Sequence, residues 1–78
     1  MPRKTHETKT GSIGRTGGRM CEYILDEDAT VEDLIAAASE NLEKGATITD
    51  QDSGYEVETD DVFENGARFV IVPSTTGA

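Results

Sequence analysis

The sequence predicts an α+β fold, with one helix packed on one face of a mixed sheet of four or five strands. Three observations predict it. Val31, Leu34, Ile35, Ala38 and Leu42 recur at helical spacing and make one apolar stripe. Several short stretches alternate apolar and polar residues with the period of a strand. The last of them, Phe69 to Val72, is apolar throughout and stops at Pro73. A single amphipathic helix has one stripe to bury, so it covers one face of one sheet.

The elements follow in order. Residues 1–12 have no apolar side chain after Met1, nothing with which to offset ordering entropy, and are expected to be a disordered basic leader. Ile13-Gly14-Arg15 starts a short strand, and Gly17-Gly18 supplies a turn that needs positive φ. Met20 to Leu25 is a second strand, with Cys21, Tyr23 and Leu25 on one face and Met20, Glu22 and Ile24 on the other. Asp26-Glu27-Asp28 closes it. Thr30 is a helix N-cap with Asp33 at the third helical position, a capping-box spacing. The helix runs over residues 31–44, with Lys44 in its last turn and Gly45 ending it. Ala46 to Thr49 and Tyr55 to Glu58 are short strands around the polar loop Asp50 to Gly54. Val62 and Phe63 form a small apolar plug, Glu64-Asn65-Gly66 turns the chain, and the final strand follows. The expected buried set is Tyr23, Leu25, Val31, Leu34, Ile35, Ala38, Leu42, Ile48, Val57, Val62, Phe69 and Ile71. The helix separates the first hairpin from the remaining strands, so one parallel pairing is expected in the middle of the sheet.

Seventy-eight residues make one small domain, divided here into the leader (1–12), the folded body (13–73) and a C-terminal tail (74–78). The formal net charge is −9. Residues 1–19 carry five basic residues against Glu7, a net of +4; residues 20–78 carry Lys44 and Arg68 against fifteen acids, a net of −13. Such a body repels nucleic acid and anionic membranes and attracts basic partners. A salt contact of Arg3, Lys4 and Lys9 with nucleic acid is set against that −13, and neither nucleic acid nor membrane is an expected partner. The one cysteine, Cys21, makes an internal disulfide impossible, and the strand alternation buries it as a structural thiol. No apolar run is long enough to span a membrane and the N-terminus lacks an apolar signal region. These features fit a cytoplasmic protein.

Catalytic constellations are missing. His6 has no second ligand near it, and neither a Ser-His-Asp nor a Cys-His arrangement can be assembled. The acid pairs lack the spacing of a calcium loop; Asp50 to Gly54 comes nearest and reads as a solvated turn. The glycines at 11, 14, 17 and 18 precede no helix and are no phosphate loop. The chain is read as a protein that is not an enzyme and binds no cofactor.

Two stretches carry a family resemblance that covers roughly residues 19–78. Tyr23 to Ile35, with its acidic turn and its Ala29-Thr30-Val31 helix start, and Phe63 to Pro73, with its Gly66 turn and terminal proline, resemble the β-grasp (ubiquitin-like) superfamily. Within it the chain looks similar to the MoaD-like and ThiS-like sulfur carriers of molybdopterin and thiamine biosynthesis and to prokaryotic ubiquitin-like modifiers. The resemblance implies a β-grasp fold. It also implies a six-residue ending starting at Pro73, with Thr75, Thr76, Gly77 and Ala78 as the tail that an E1-like adenylating enzyme activates with ATP. The carboxylate would pass to sulfur-transfer partners or to target proteins. The family ends in Gly-Gly; this chain has Gly77-Ala78. The outward residues of the last strand, Val70 and Val72, together with Ile24, are the expected partner-binding surface. The alternative is a non-covalent β-grasp interaction module that uses its acidic sheet face and no tail chemistry.

Overall fold

The computed structural model of the chain describes residues 7–74. Five strands and one helix follow in the order β1 (Thr8–Arg15), β2 (Cys21–Asp26), α1 (Val31–Ala37), β3 (Thr47–Asp50), β4 (Glu56–Val57) and β5 (Ala67–Val72). The strands form one sheet in the order β2-β1-β5-β3-β4. The expected parallel pairing joins β1 to β5 in the centre, with Ile13 opposite Phe69; the other pairings are antiparallel. Alternation along β5 turns Phe69 and Ile71 to the helix side, where both are buried, and leaves Val70 and Val72 on the other face.

The helix starts as its sequence dictates. Thr30 Oγ1 accepts the Asp33 amide, and the Asp33 carboxylate accepts the Thr30 amide, a complete capping box. Val31, Leu34 and Ile35 are buried against the sheet with Ile13, Ile48, Phe63, Phe69 and Ile71. The helix then ends at Ala37, seven residues short of the expected Lys44. Ser39 takes a positive φ of 57°, which breaks the helical path, and Arg15 holds the loop beyond through Glu40 at 2.9 Å and the Asn41 carbonyl at 2.8 Å. Ala38 and Leu42 still pack on the core from outside the helix, so their apolar spacing reflected burial rather than helix.

Three further expectations are corrected. Residues 8–12, expected within a disordered leader, are the first five residues of β1. They pair with β2 on one side and, from Gly11, with β5 on the other, so backbone hydrogen bonds replace the missing apolar side chains. The inward series is Lys9, Gly11, Ile13, and Lys9 is only 4% exposed. Its Nζ donates to the Ala29 carbonyl at 2.8 Å and to the Phe63 carbonyl at 2.5 Å, and stands 3.9 Å from the centre of the Phe63 ring. Three partners for three N–H groups let the ammonium be buried without a carboxylate.

Val62, expected in the core, is 60% exposed, and its neighbour Phe63 is buried at 5%. Val62 forms an isolated antiparallel bridge with Thr30, and extended backbone sends successive side chains to opposite sides. The larger ring takes the inward place, edge-on to Phe69 with centroids 5.8 Å apart. Cys21, expected inside, is exposed. It shares a face with Tyr23 and Leu25, but β2 is an edge strand and the shortened helix stops before covering its first residue, leaving Tyr23 and Leu25 half-buried.

Candidate functional site

The end of β5 is where the chain leaves the sheet, and three contacts set its direction. Thr16, in the hairpin turn, donates both its amide (3.1 Å) and its hydroxyl (3.2 Å) to the Ile71 carbonyl. Thr47 of β3 lies opposite Val72. Ser74 crosses over Gly45, where a Cβ would come within 2.8 Å of Ser74 Oγ. Gly45 also has φ +88°, a conformation that favours glycine. Gly45, expected as the helix cap, is thus a passage for the root of the tail. Pro73 is exposed and cannot donate to a neighbouring strand, so β5 ends at Val72. Thr75, Thr76, Gly77 and Ala78, the expected site of activation, lie outside the described residues, as does His6.

The loop behind this exit is electrostatically braced. Arg15 reaches Glu40, the Asn41 carbonyl and, at 3.8 Å, Glu43, tying the segment after the helix to the end of β1. Nearby, the Tyr23 phenol is pushed above its ordinary value of 10.0. Desolvation comes first among the causes, then the Cys21 thiolate and a hydrogen bond with Cys21, then the Glu40 carboxylate.

The second expected site, the outward sheet face, is divided by the strand register. Val70 lies between Gly14 of β1 and Thr49 of β3, and Val72 beside Thr47; both valines are half-buried. Ile24, 70% exposed, lies opposite Thr10 on the other edge. Thr10 and Gly14 are about 13 Å apart along β1, and β2 is about 10 Å from β5 across the sheet. Ser12, Glu22 and Arg68 occupy the register position between them. The structure therefore brings Val70 and Val72 together and does not bring Ile24 to them.

Three aspartates around the β3–β4 loop and the Asp61 turn are occupied locally. Asp50 Oδ1 accepts the Asp52 amide at 2.8 Å and the Ser53 amide at 3.2 Å, a self-bonded turn. Asp61 caps the Glu58 amide at 2.9 Å and Asp52 pairs with Arg68. Among the described residues no group of three or more His, Cys, Asp or Glu side chains could hold a metal ion, and no helix is long and apolar enough to cross a membrane. Sequence reasoning missed the inward place of Lys9, left Phe63 out of the buried set, and took Gly45 as a helix end and not as the residue under Ser74. The alternation Lys9-Gly11-Ile13 was a usable signal for the first; nothing local marked Gly45.

No protein-family model matches the sequence, and no curated protein matches it. Solved structures do match. One, described as Caldiarchaeum subterraneum ubiquitin, superposes with a TM-score of 0.60 at 19% identity, over 92% of this chain and 100% of that one. With the five-stranded mixed sheet, its central parallel pair and a single helix on one face, the likeness identifies this chain as a β-grasp protein of ubiquitin-like fold.

Proposed function

We propose that this chain is a small ubiquitin-like modifier or carrier that works through its C-terminal tail. The observation that carries the reading is the exit of β5. The central strand ends at Val72, the chain continues through exposed Pro73, and Ser74 passes over a glycine with no side chain to obstruct it. In this reading an E1-like enzyme consumes ATP to adenylate the Ala78 carboxylate. The acyl group then passes to a target amine or becomes a thiocarboxylate for sulfur transfer. The likeness to an archaeal ubiquitin supports the fold on which such tails are carried. The test incubates the protein, ending at Ala78 or at Gly77, with the adenylating enzyme of its host and ATP, and measures intact mass. An adenylate, thiocarboxylate or isopeptide at the terminus is expected; free carboxylate in every case rejects the reading.

A second reading is favoured by the adjacency of Val70 and Val72 on the uncovered face: a non-covalent interaction module that uses no tail chemistry. Removing residues 74–78 separates the two. A module keeps its binding after the deletion and loses it on Val70→Glu.

A further inference from the structure

On the helix side of the sheet, at the end of β5 away from the tail, a cleft of about 400 Å³ opens between the β3–β4 loop, the Gly66 turn and the Asp61–Asn65 segment. That is within the size range of ligand-binding clefts. Buried Val31, Phe63 and Phe69 close its base, and the part-exposed Val57 and Ala67 are the apolar surface it offers there. Val62 stands at its wall with 60% of its surface in water. Every charged residue that lines it is an acid: Asp50, Asp52, Asp61 and Glu64. Asp52 is already paired with Arg68, and Asp50 and Asp61 accept amides of their own turns, so Glu64 is the acid the cleft offers most openly. Apolar depth under an anionic rim is the complement of a lysine or arginine side chain, whose methylene stem packs on apolar surface while its head stays at the polar edge.

We propose that this cleft is a docking site for a lysine- or arginine-bearing segment of a partner protein. The stem of the basic side chain lies along Val62, and its cationic head meets the Glu64 carboxylate. The −13 charge of residues 20–78 steers basic segments toward the body from a distance. Asp26 and Asp28 line a second acidic cleft with Leu25, Ala29, Ala36 and Ala37, but no large exposed apolar side chain such as Val62 stands at its wall. Because the cleft and Ser74 lie at opposite ends of β5, a partner bound there leaves the tail root uncovered. The proposal does not depend on tail activation.

The experiment titrates the full 78-residue chain, isotope-labelled for NMR, with the peptide acetyl-Ala-Leu-Lys-Arg-Leu-Ala-amide. Expected are saturable shifts centred on Val62, Glu64 and Ala67, absent with a peptide carrying Glu in place of Lys and Arg, and weakened in 0.5 M salt. Val62→Ser and Glu64→Gln should each weaken binding about threefold, the size of an exposed pair or a partly buried methyl. Both residues are exposed, and Glu64→Gln leaves the core untouched, so loss of fold does not confuse the result. Shifts equally strong at Asp26 to Asp28, unchanged affinity in the two variants, or no saturable shift overturns the proposal. So does binding that appears only after residues 1–6 are deleted, which would make the chain's own Arg3 and Lys4 the occupant.

Discussion

Replacing Lys9 with methionine tests the least expected feature of the core. Methionine keeps the length and most of the apolar stem of lysine, so no large cavity opens. What disappears is the ammonium that satisfies the Ala29 and Phe63 carbonyls and faces the Phe63 ring. Each buried carbonyl left short of its partner costs roughly 1–3 kcal/mol, and the cation–π contact is worth up to about 2 when desolvated. Against this, methionine avoids the several kcal/mol that burying an ammonium costs. The carbonyls decide the sign, because neither residue bearing them reaches water: Ala29 is 6% exposed and Phe63 5%. The expected loss is about 3 kcal/mol. A domain of this size has roughly 4–12 kcal/mol in all, and each kcal/mol corresponds to about 4–8 °C, so the melting temperature should fall by about 10–25 °C. Urea titration and thermal melts followed by circular dichroism measure both. A Lys9→Met variant within 0.5 kcal/mol of the parent would refute the reasoning. It would show that the carbonyls find other partners and that the lysine is only tolerated.

Three other outcomes are expected. Gly11→Ala should destabilise by about 1–3 kcal/mol, because its Cβ would stand 2.6 Å from a Phe63 ring fixed by Phe69 and Lys9; chemical denaturation reads this, and a neutral result would mean the ring moves freely. Brief amine labelling of the native protein followed by peptide mass mapping should modify exposed Lys44 and spare Lys9, with the contrast vanishing in denaturant. Absorbance of the phenolate near 295 nm, as a difference between parent and Tyr23→Phe, should give a midpoint above 10.0 that falls in Cys21→Ser. Since the folded state holds that proton more tightly than the unfolded one, this group's contribution declines as pH rises past 10, never as it falls.

The sequence made some elements legible and hid others for physical reasons. Phe69 and Ile71 could be placed inside because a two-residue period has only two solutions, and the proline and glycine flanking β5 fixed its ends. The start of α1 could be read because a capping box is local chemistry. Its end could not, since Leu42 continues the stripe while packing from a loop after the reversal at Ser39. The first five residues of β1 were missed because they are held by backbone pairing to β2 and, from Gly11, to the distant β5, and because their one long inward side chain is a lysine. Val62 and Phe63 were both apolar, and only the bridge to Thr30 decided which faced in. Of the candidate site, the outward valines and the strand exit could be foreseen. The passage at Gly45 and the cleft beside Val62 arise from segments that meet only in the folded chain.

The parallel pairing of β1 with β5 has a consequence for how the protein is made. The first strand and the last lie side by side inside the sheet, Gly11 opposite Ala67, and the turn that leads into β5 is tied to β1 by Asn65 on Thr10, 55 residues away. Closing a loop of that length costs about 3.5 kcal/mol of chain entropy before any contact repays it. The hairpin of β1 and β2 is local and can form while synthesis continues, but it then exposes Ile13 and the inner edge of β1 with nothing to pair them. The middle of the sheet stays open until Ala67 to Val72 have cleared the ribosome. The slow step of folding is therefore this non-local pairing, and it waits on β5.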